Sequence, residues 1–192
     1  IGFAIVAVFM MVLYLIPGVA AVIALALYVG LVLIMLTAFD ITLTLPGVAG
    51  IILSVGMAVD ANVIIFTRIK EEIGLGHSVK SAIKAGFSKA LSAILDGNIT
   101  TLIAAAVLYF RGSGTVKGFA STLAIGIVLS MFTALFITKG ALYALYAVGF
   151  EDPKFYGTKK DGKIINFLGK KNICFILSIA VIVAGWAGMA LH

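Results

Sequence analysis

Apolar residues gather into six runs along this chain, at 1–16, 19–39, 46–66, 99–110, 119–137 and 173–191. A helix that spans a bilayer needs about 20 predominantly apolar residues. The second, third, fifth and sixth runs meet that length directly. The first reads as cut short at its start. The fourth meets it only if it begins near Leu91 and carries Asp96 and Asn98 inside it, and the fifth can run on to Val148. Asp60 and Asn62 alone interrupt the third. The pattern predicts an all-α membrane protein, a polytopic bundle of six transmembrane helices.

The 77–96 stretch has a different pattern. Val79, Ala82, Ile83, Phe87, Ala90, Leu91 and Ile94 recur at helical spacing, and Lys80, Lys84 and Ser88 fall on another face with Lys89 nearby. Ser78 is placed to cap the start. This predicts an amphipathic helix lying at the membrane interface, separate from the fourth span. A polar, Lys-rich connection at 151–171 predicts a linker between two modules.

Composition makes the bilayer the solvent. The chain is 62% hydrophobic and 11% charged over 192 residues, against roughly 25% charged in soluble domains. The net charge of +6 reads as loop charge, not as a nucleic-acid surface. Arg68, Lys70, Lys80, Lys84 and Lys89 lie in the 67–98 connection. Lys139, Lys154, Lys159, Lys160, Lys163, Lys170 and Lys171 lie in the 139–172 connection. The 111–118 turn has only Arg111 and Lys117, and the 40–45 turn has no Lys or Arg. Lys and Arg concentrate in cytoplasmic loops. The two basic connections and the Pro17-Gly18 turn are therefore expected inside, and both ends of the chain outside. The chain opens without Met in one apolar stretch and closes after another, so it reads as an excised piece. The lone cysteine, Cys174, excludes an internal disulfide and reads as a small apolar-run residue.

Among candidate chemical groups Asp60 stands first. A carboxyl group within a spanning helix costs about 2.5–3.5 kcal/mol on insertion scales, which argues for burial against neighbouring helices and for a task. Proton or cation handling is one reading; a neutral, hydrogen-bonded structural carboxyl is the other. Asn62 points about 160° away from Asp60 on a helix, so it reads as an interhelical hydrogen-bonding residue. Asp96, Asn98, Thr100 and Thr101 form a second polar cluster, either supporting the site or serving to cap or pack the fourth helix. Gly50, Ser54 and Ala58 on the third helix, and Gly126, Ser130 and Ala134 on the fifth, form small-residue lines that allow close helix approach; Gly56 is grouped with them. His77 and His192 lie far apart, and the chain has no metal-binding Cys/His spacing, phosphate-binding glycine loop or nucleophile elbow. Any work it does would draw on an ion gradient or a partner.

Three motifs in order carry a resemblance. Gly56-Met-Ala-Val-Asp-Ala-Asn-Val-Ile-Ile-Phe66 is followed by Arg68-Ile-Lys-Glu-Glu72. Gly86-Phe87 precedes Ile94-Leu-Asp-Gly-Asn-Ile-Thr-Thr-Leu-Ile103. Gly112-Ser-Gly-Thr-Val-Lys-Gly-Phe-Ala120 leads into Ile125-Gly-Ile127. Together they resemble the SecD half of SecDF over residues 46–140. Thr67 stands where that family commonly has Glu, and Gly97 where it commonly has Ala. Asn166-Phe-Leu-Gly-Lys-Lys-Asn-Ile173 resembles the start of SecF. The resemblance implies a SecD-like transmembrane domain of five helices at 1–150, a cytoplasmic linker at 151–171 and a first SecF-like helix at 172–192. The fold it implies is one half of a resistance-nodulation-division transporter in the cell membrane.

The implied activity uses a proton or sodium motive force to help draw an exported polypeptide outward. Asp60 would be the ion-coupling residue, with H+ or Na+ as coupling ion and no other cofactor. The implied partners are the SecYEG channel, the SecF portion, YajC, SecA indirectly, membrane lipid, and the unfolded exported chain held by outer-face domains; nucleic acid is not among them. Two rival readings are a non-coupled assembly subunit of the translocon and a small-molecule or lipid exporter of the same superfamily.

Overall fold

A computed structural model describes residues 2–157 together with Phe175, Ser178 and Ile179. The rest of the sixth apolar run, including Cys174, together with the 158–171 part of the linker, the SecF-like motif and His192, lies outside the described residues. The chain divides into a first unit, Ile1–Lys159, and a second, Lys160–His192. Everything below concerns the first.

The described helices are α1 (Gly2–Tyr14), α2 (Ile16–Ala38), α3 (Leu45–Gly74), α4 (Val79–Arg111), α5 (Thr115–Phe132) and α6 (Thr138–Ala147). A π-helical stretch, Thr133–Ile137, joins α5 to α6, so that Thr115–Ala147 forms one continuous rod of 33 residues. This rod, α2, α3 and α4 are each long and apolar enough to cross a membrane; α1, at 13 residues, is shorter.

The Pro17-Gly18 turn is sharper than a loop. Leu15 alone separates α1 from α2 and adopts a φ of 51°, a conformation that bulky residues rarely hold. Pro17 suits the first turn of α2, where its missing N–H would have had no helical partner. Gly18 is buried, and a Cβ there would press within 2.8 Å of Met11 Cα. The small residue therefore lets α1 fold straight back along α2, bringing Met10 beside Ala21.

Helix α3 is the central element. Gly50, Ser54 and Ala58 are buried against α5, and a Cβ on Gly50 would fall 2.5 Å from Thr122 Oγ1. Gly126 lies so close to Ser54 that a Cβ would overlap its hydroxyl. Ser130 and Ala134 continue this buried line. Gly56 does not belong to it. It is exposed, and a Cβ there would meet nothing within 4 Å, because two residues beyond Ser54 the helix surface has turned about 160°.

The separate interfacial helix expected at 78–94 is not what forms. Residues 79–111 make one 33-residue helix. The apolar positions Val79, Ala82, Ile83, Phe87, Ala90 and Ile94 are buried in the same core as Ile65, Phe66, Ile69 and Ile73 of α3. Gly86 permits the crossing, since a Cβ there would stand 2.5 Å from Ile69 Cγ1. The amphipathic period thus records packing against α3, and the helical ladder continues unbroken through Asp96 and Asn98. At 1.5 Å per residue, α3 and α4 are about 45 and 50 Å long, well beyond the ~30 Å hydrocarbon layer. Their charged residues cluster at the α3–α4 connection, so the excess length lies there. The predicted linker starts within this body. Pro153–Tyr156 form a short 3-10 turn and Tyr156 is buried. Burial pushes its phenol up to about 12, with Tyr146 adding to the effect.

Candidate functional site

Asp60 lies on α3 in the continuous apolar stretch that ends at Phe66. The sequence predicts that its carboxyl group is buried against neighbouring helices, but the structure places it on the exposed side of α3. It opens on a cleft of about 250 Å³ between α3 and α4. Met57, Asp60, Ala61 and Ile64 form one wall, and Ala93, Ile94, Gly97, Asn98 and Thr101 the other. The cleft exists because α4 presents small residues here. The two helices touch tightly at Gly86, whereas a Cβ on Gly97 would meet nothing within 4 Å. The ion pairs among the described residues are Arg68–Glu71, Glu72–His77 and Glu72–Lys89, all toward the charged end of α3, and none involves Asp60.

The polar cluster of α4 divides around the helix. Asn98 is buried at 6% exposure, and with half-buried Thr101 it lines the Asp60 cleft. Asp96 and Thr100 are exposed, and they do not line this cleft. The capping alternative fails for all four because α4 starts at Val79, with Ser78 at the capping position, and none of them stands at a helix start. Thr100 and Thr101 return their hydroxyl protons to the carbonyls four residues back, Asp96 at 2.7 Å and Gly97 at 2.9 Å. This is the ordinary way for a threonine to satisfy itself within a helix.

Asn62 is not brought to Asp60. It is buried on the opposite side of α3, where its Nδ2 donates to Ala58 O at 3.1 Å and its Oδ1 accepts from Thr138 Oγ1 at 2.8 Å. Thr138 follows directly on the π-helical stretch. Such stretches mark departures from the regular i to i−4 ladder.

Two further polar contacts were not singled out by the sequence pattern, one within an apolar run and one in the charged connection. Tyr28, fully buried on α2, donates to Ser54 Oγ at 2.7 Å, and Ser54 donates on to Ile51 O at 2.8 Å. At the charged end of α3 the Glu72 side chain is only 4% exposed and meets both Lys89 of α4 and His77 of the connection, the latter at 2.8 Å. His77 Nδ1 thus stands within hydrogen-bonding distance of the Glu72 carboxylate.

Comparison with known proteins places this architecture. The family model described as "Protein export membrane protein SecD/SecF, C-terminal" matches residues 1–148. The protein translocase subunit SecD of Acidaminococcus fermentans is 52% identical over 170 residues, which take in 85% of this chain and 41% of the relative. The SecD subunit of Synechocystis sp. is 52% identical over 145 residues, 76% of this chain and 31% of its own length. The crystal structure of SecDF, a translocon-associated membrane protein from Thermus thermophilus, superposes with a TM-score of 0.79 at 35% identity, covering 96% of this chain and 26% of that one. The chain thus spans well under half the length of these relatives.

Proposed function

This chain belongs to the SecD/SecF family of protein-export membrane proteins, and from that premise we propose that it is the membrane-embedded, ion-coupled part of a SecDF-type translocation factor. In this reading a proton or sodium gradient, acting through Asp60, promotes outward movement of an exported polypeptide. The observation that carries the proposal is the position of Asp60. It is an acidic side chain in an apolar helix, open to a cleft and without an ion pair among the described residues. A carboxylate left against hydrocarbon is costly, and the neutral acid much less so. Gain or loss of one positive charge therefore changes which neighbours the α3 face tolerates, which is how a local charge event biases a two-state bundle.

The proposed setting is the cell membrane, with the α3–α4 connection on the cytoplasmic side. The proposed partners are the SecYEG channel, a SecF portion that covers the Asp60 face, and YajC, with SecA acting upstream and outer-face domains holding the unfolded chain. The test is Asp60→Asn in the full-length protein, with export measured with and without an imposed gradient. Asparagine keeps the shape and hydrogen-bonding capacity but cannot titrate. Insertion should stay near normal while gradient stimulation disappears. Undiminished gradient dependence would rule out coupling through Asp60 and favour a non-coupled assembly role.

A further inference from the structure

Lys70 serves a carbonyl oxygen that the backbone itself cannot. In an unbroken helix the Leu13 carbonyl would accept from the N–H four residues on, but that residue is Pro17, which has none. The neighbouring bonds across the corner do form, Leu15 N–H to Met11 O at 2.9 Å and Val19 N–H to Leu15 O at 3.1 Å. The Leu13 oxygen instead accepts from Lys70 Nζ of α3 at 3.0 Å. The same ammonium lies 4.6 Å from the centre of the Tyr14 ring, within the range of a cation–π contact. Tyr14 in turn rests against Phe66, one helical turn before Lys70, with ring centres 5.4 Å apart. One side chain of α3 thus grips both residues at the end of α1.

A second element meets this contact. The 153–156 turn is anchored by Tyr156, which is fully buried in the same core as Met10, Phe66 and Ile69. Gly157 follows with a φ of 74°, a conformation that favours glycine. A Cβ at Gly157 would stand 2.8 Å from Lys70 Cε and 3.0 Å from Nζ. A side chain there would have to push the lysine aside, and a lysine moved aside leaves the Leu13 oxygen without its donor.

We propose that Lys70 is a clamp fastening the α1–α2 corner to α3, and that the 153–157 turn is a strap that keeps the clamp shut. With the strap seated, the corner follows α3. With the strap lifted, Lys70 is free to leave Leu13. The corner then loosens, because it lacks one backbone bond and turns on Leu15 at a φ of 51°, which a bulky residue holds only under strain. The device does not rest on the role of Asp60. It makes the segment that leaves the helical body a control on how far α3 and the α1–α2 corner move together.

The test is amide hydrogen exchange of the 13–19 segment in purified full-length protein in nanodiscs. Lys70→Leu keeps an apolar stem and removes the ammonium. Gly157→Ala retains the lysine and crowds it. Each should speed exchange of the segment about fivefold, the loss expected for one solvent-accessible hydrogen bond to a charged group. The double variant Lys70→Leu/Gly157→Ala should exchange no faster than Lys70→Leu, because the strap acts through the lysine. An unchanged corner in either single variant would overturn the proposal, as would a double variant that exchanges faster than both. Should a variant fail to fold, the wild-type protein decides. A brief pulse of an amine-acylating reagent should modify Lys70 at least about fivefold more slowly than the exposed Lys84, and equal rates would overturn the clamp.

Discussion

Thr138 and Asn62 are joined by a 2.8 Å hydrogen bond that ties α6 to α3 across 76 residues of chain. Asn62 therefore faces the bundle while Asp60, two positions earlier, faces the cleft, and α3 is polar on two opposite sides at one depth. Whatever changes the charge on one side leaves a specific tether on the other. The tether falls where the π-helical stretch ends, so a shift of α3 would bear on the least regular part of the α5–α6 rod.

The energetic expectation for that tether is modest. Interhelical hydrogen bonds within membranes average about 0.6 kcal/mol and reach about 1.7. Thr138→Val and Asn62→Leu should each lower unfolding stability, and a double-mutant cycle should give a coupling of about 0.5–1.5 kcal/mol. Steric-trap or denaturant unfolding in micelles measures it, and full additivity of the two changes would show that the bond contributes nothing.

Gly126 should be intolerant of any side chain. A Cβ there overlaps Ser54 and stands 3.1 Å from the Tyr28 hydroxyl, so Gly126→Ala should cost about 1–3 kcal/mol through overpacking. Ser54→Gly removes both atoms met first, the Oγ and the Cβ. The double variant Gly126→Ala/Ser54→Gly should recover part of the loss, despite orphaning Tyr28. A double variant less stable than the sum of the single changes would contradict this geometry.

Glu72 should depend on Lys89. Its side chain is nearly covered and its partners are half exposed, so removing Lys89 leaves a shielded carboxylate with only His77 beside it. Lys89→Met should lower the melting temperature measurably. Lys84→Met, on the exposed face of the same helix, should stay within about 0.5 kcal/mol. Thermal melts of the two variants decide the matter, and equal melting temperatures would count against the pairing.

The proposed orientation makes a labelling prediction. Single cysteines at Lys80, near the start of α4, and at Thr42, between α2 and α3, should lie on opposite sides of the membrane. An impermeant thiol reagent added to intact cells should modify position 42 and spare position 80. Modification of position 80 from outside would reverse the topology.

Much was legible from the order of residues alone. Runs of about 20 apolar residues have no stable setting but a bilayer or a deep core, so the all-helical, membrane-spanning character followed from composition and period. The motifs around Asp60, Asn98 and Gly114 were specific enough to indicate the family. The opposition of Asp60 and Asn62 followed from helix geometry, since their spacing of two sets the angle between them. Tertiary structure decided what period cannot express, namely which surface an apolar stripe meets. The stripe from Val79 to Ile94 looks the same whether lipid or α3 covers it; only the close crossing at Gly86 and Ile69 makes it part of one long helix. Gly56 and Gly50 are alike as letters, yet one stands in the open and the other against Thr122, because the neighbouring rod touches α3 on one side only. Whether a polar residue shares a site with Asp60 depends likewise on the rotation of α4 about its own axis. That rotation, set by packing along the whole hairpin, turns Asn98 and Thr101 into the cleft and leaves Asp96 and Thr100 outside it.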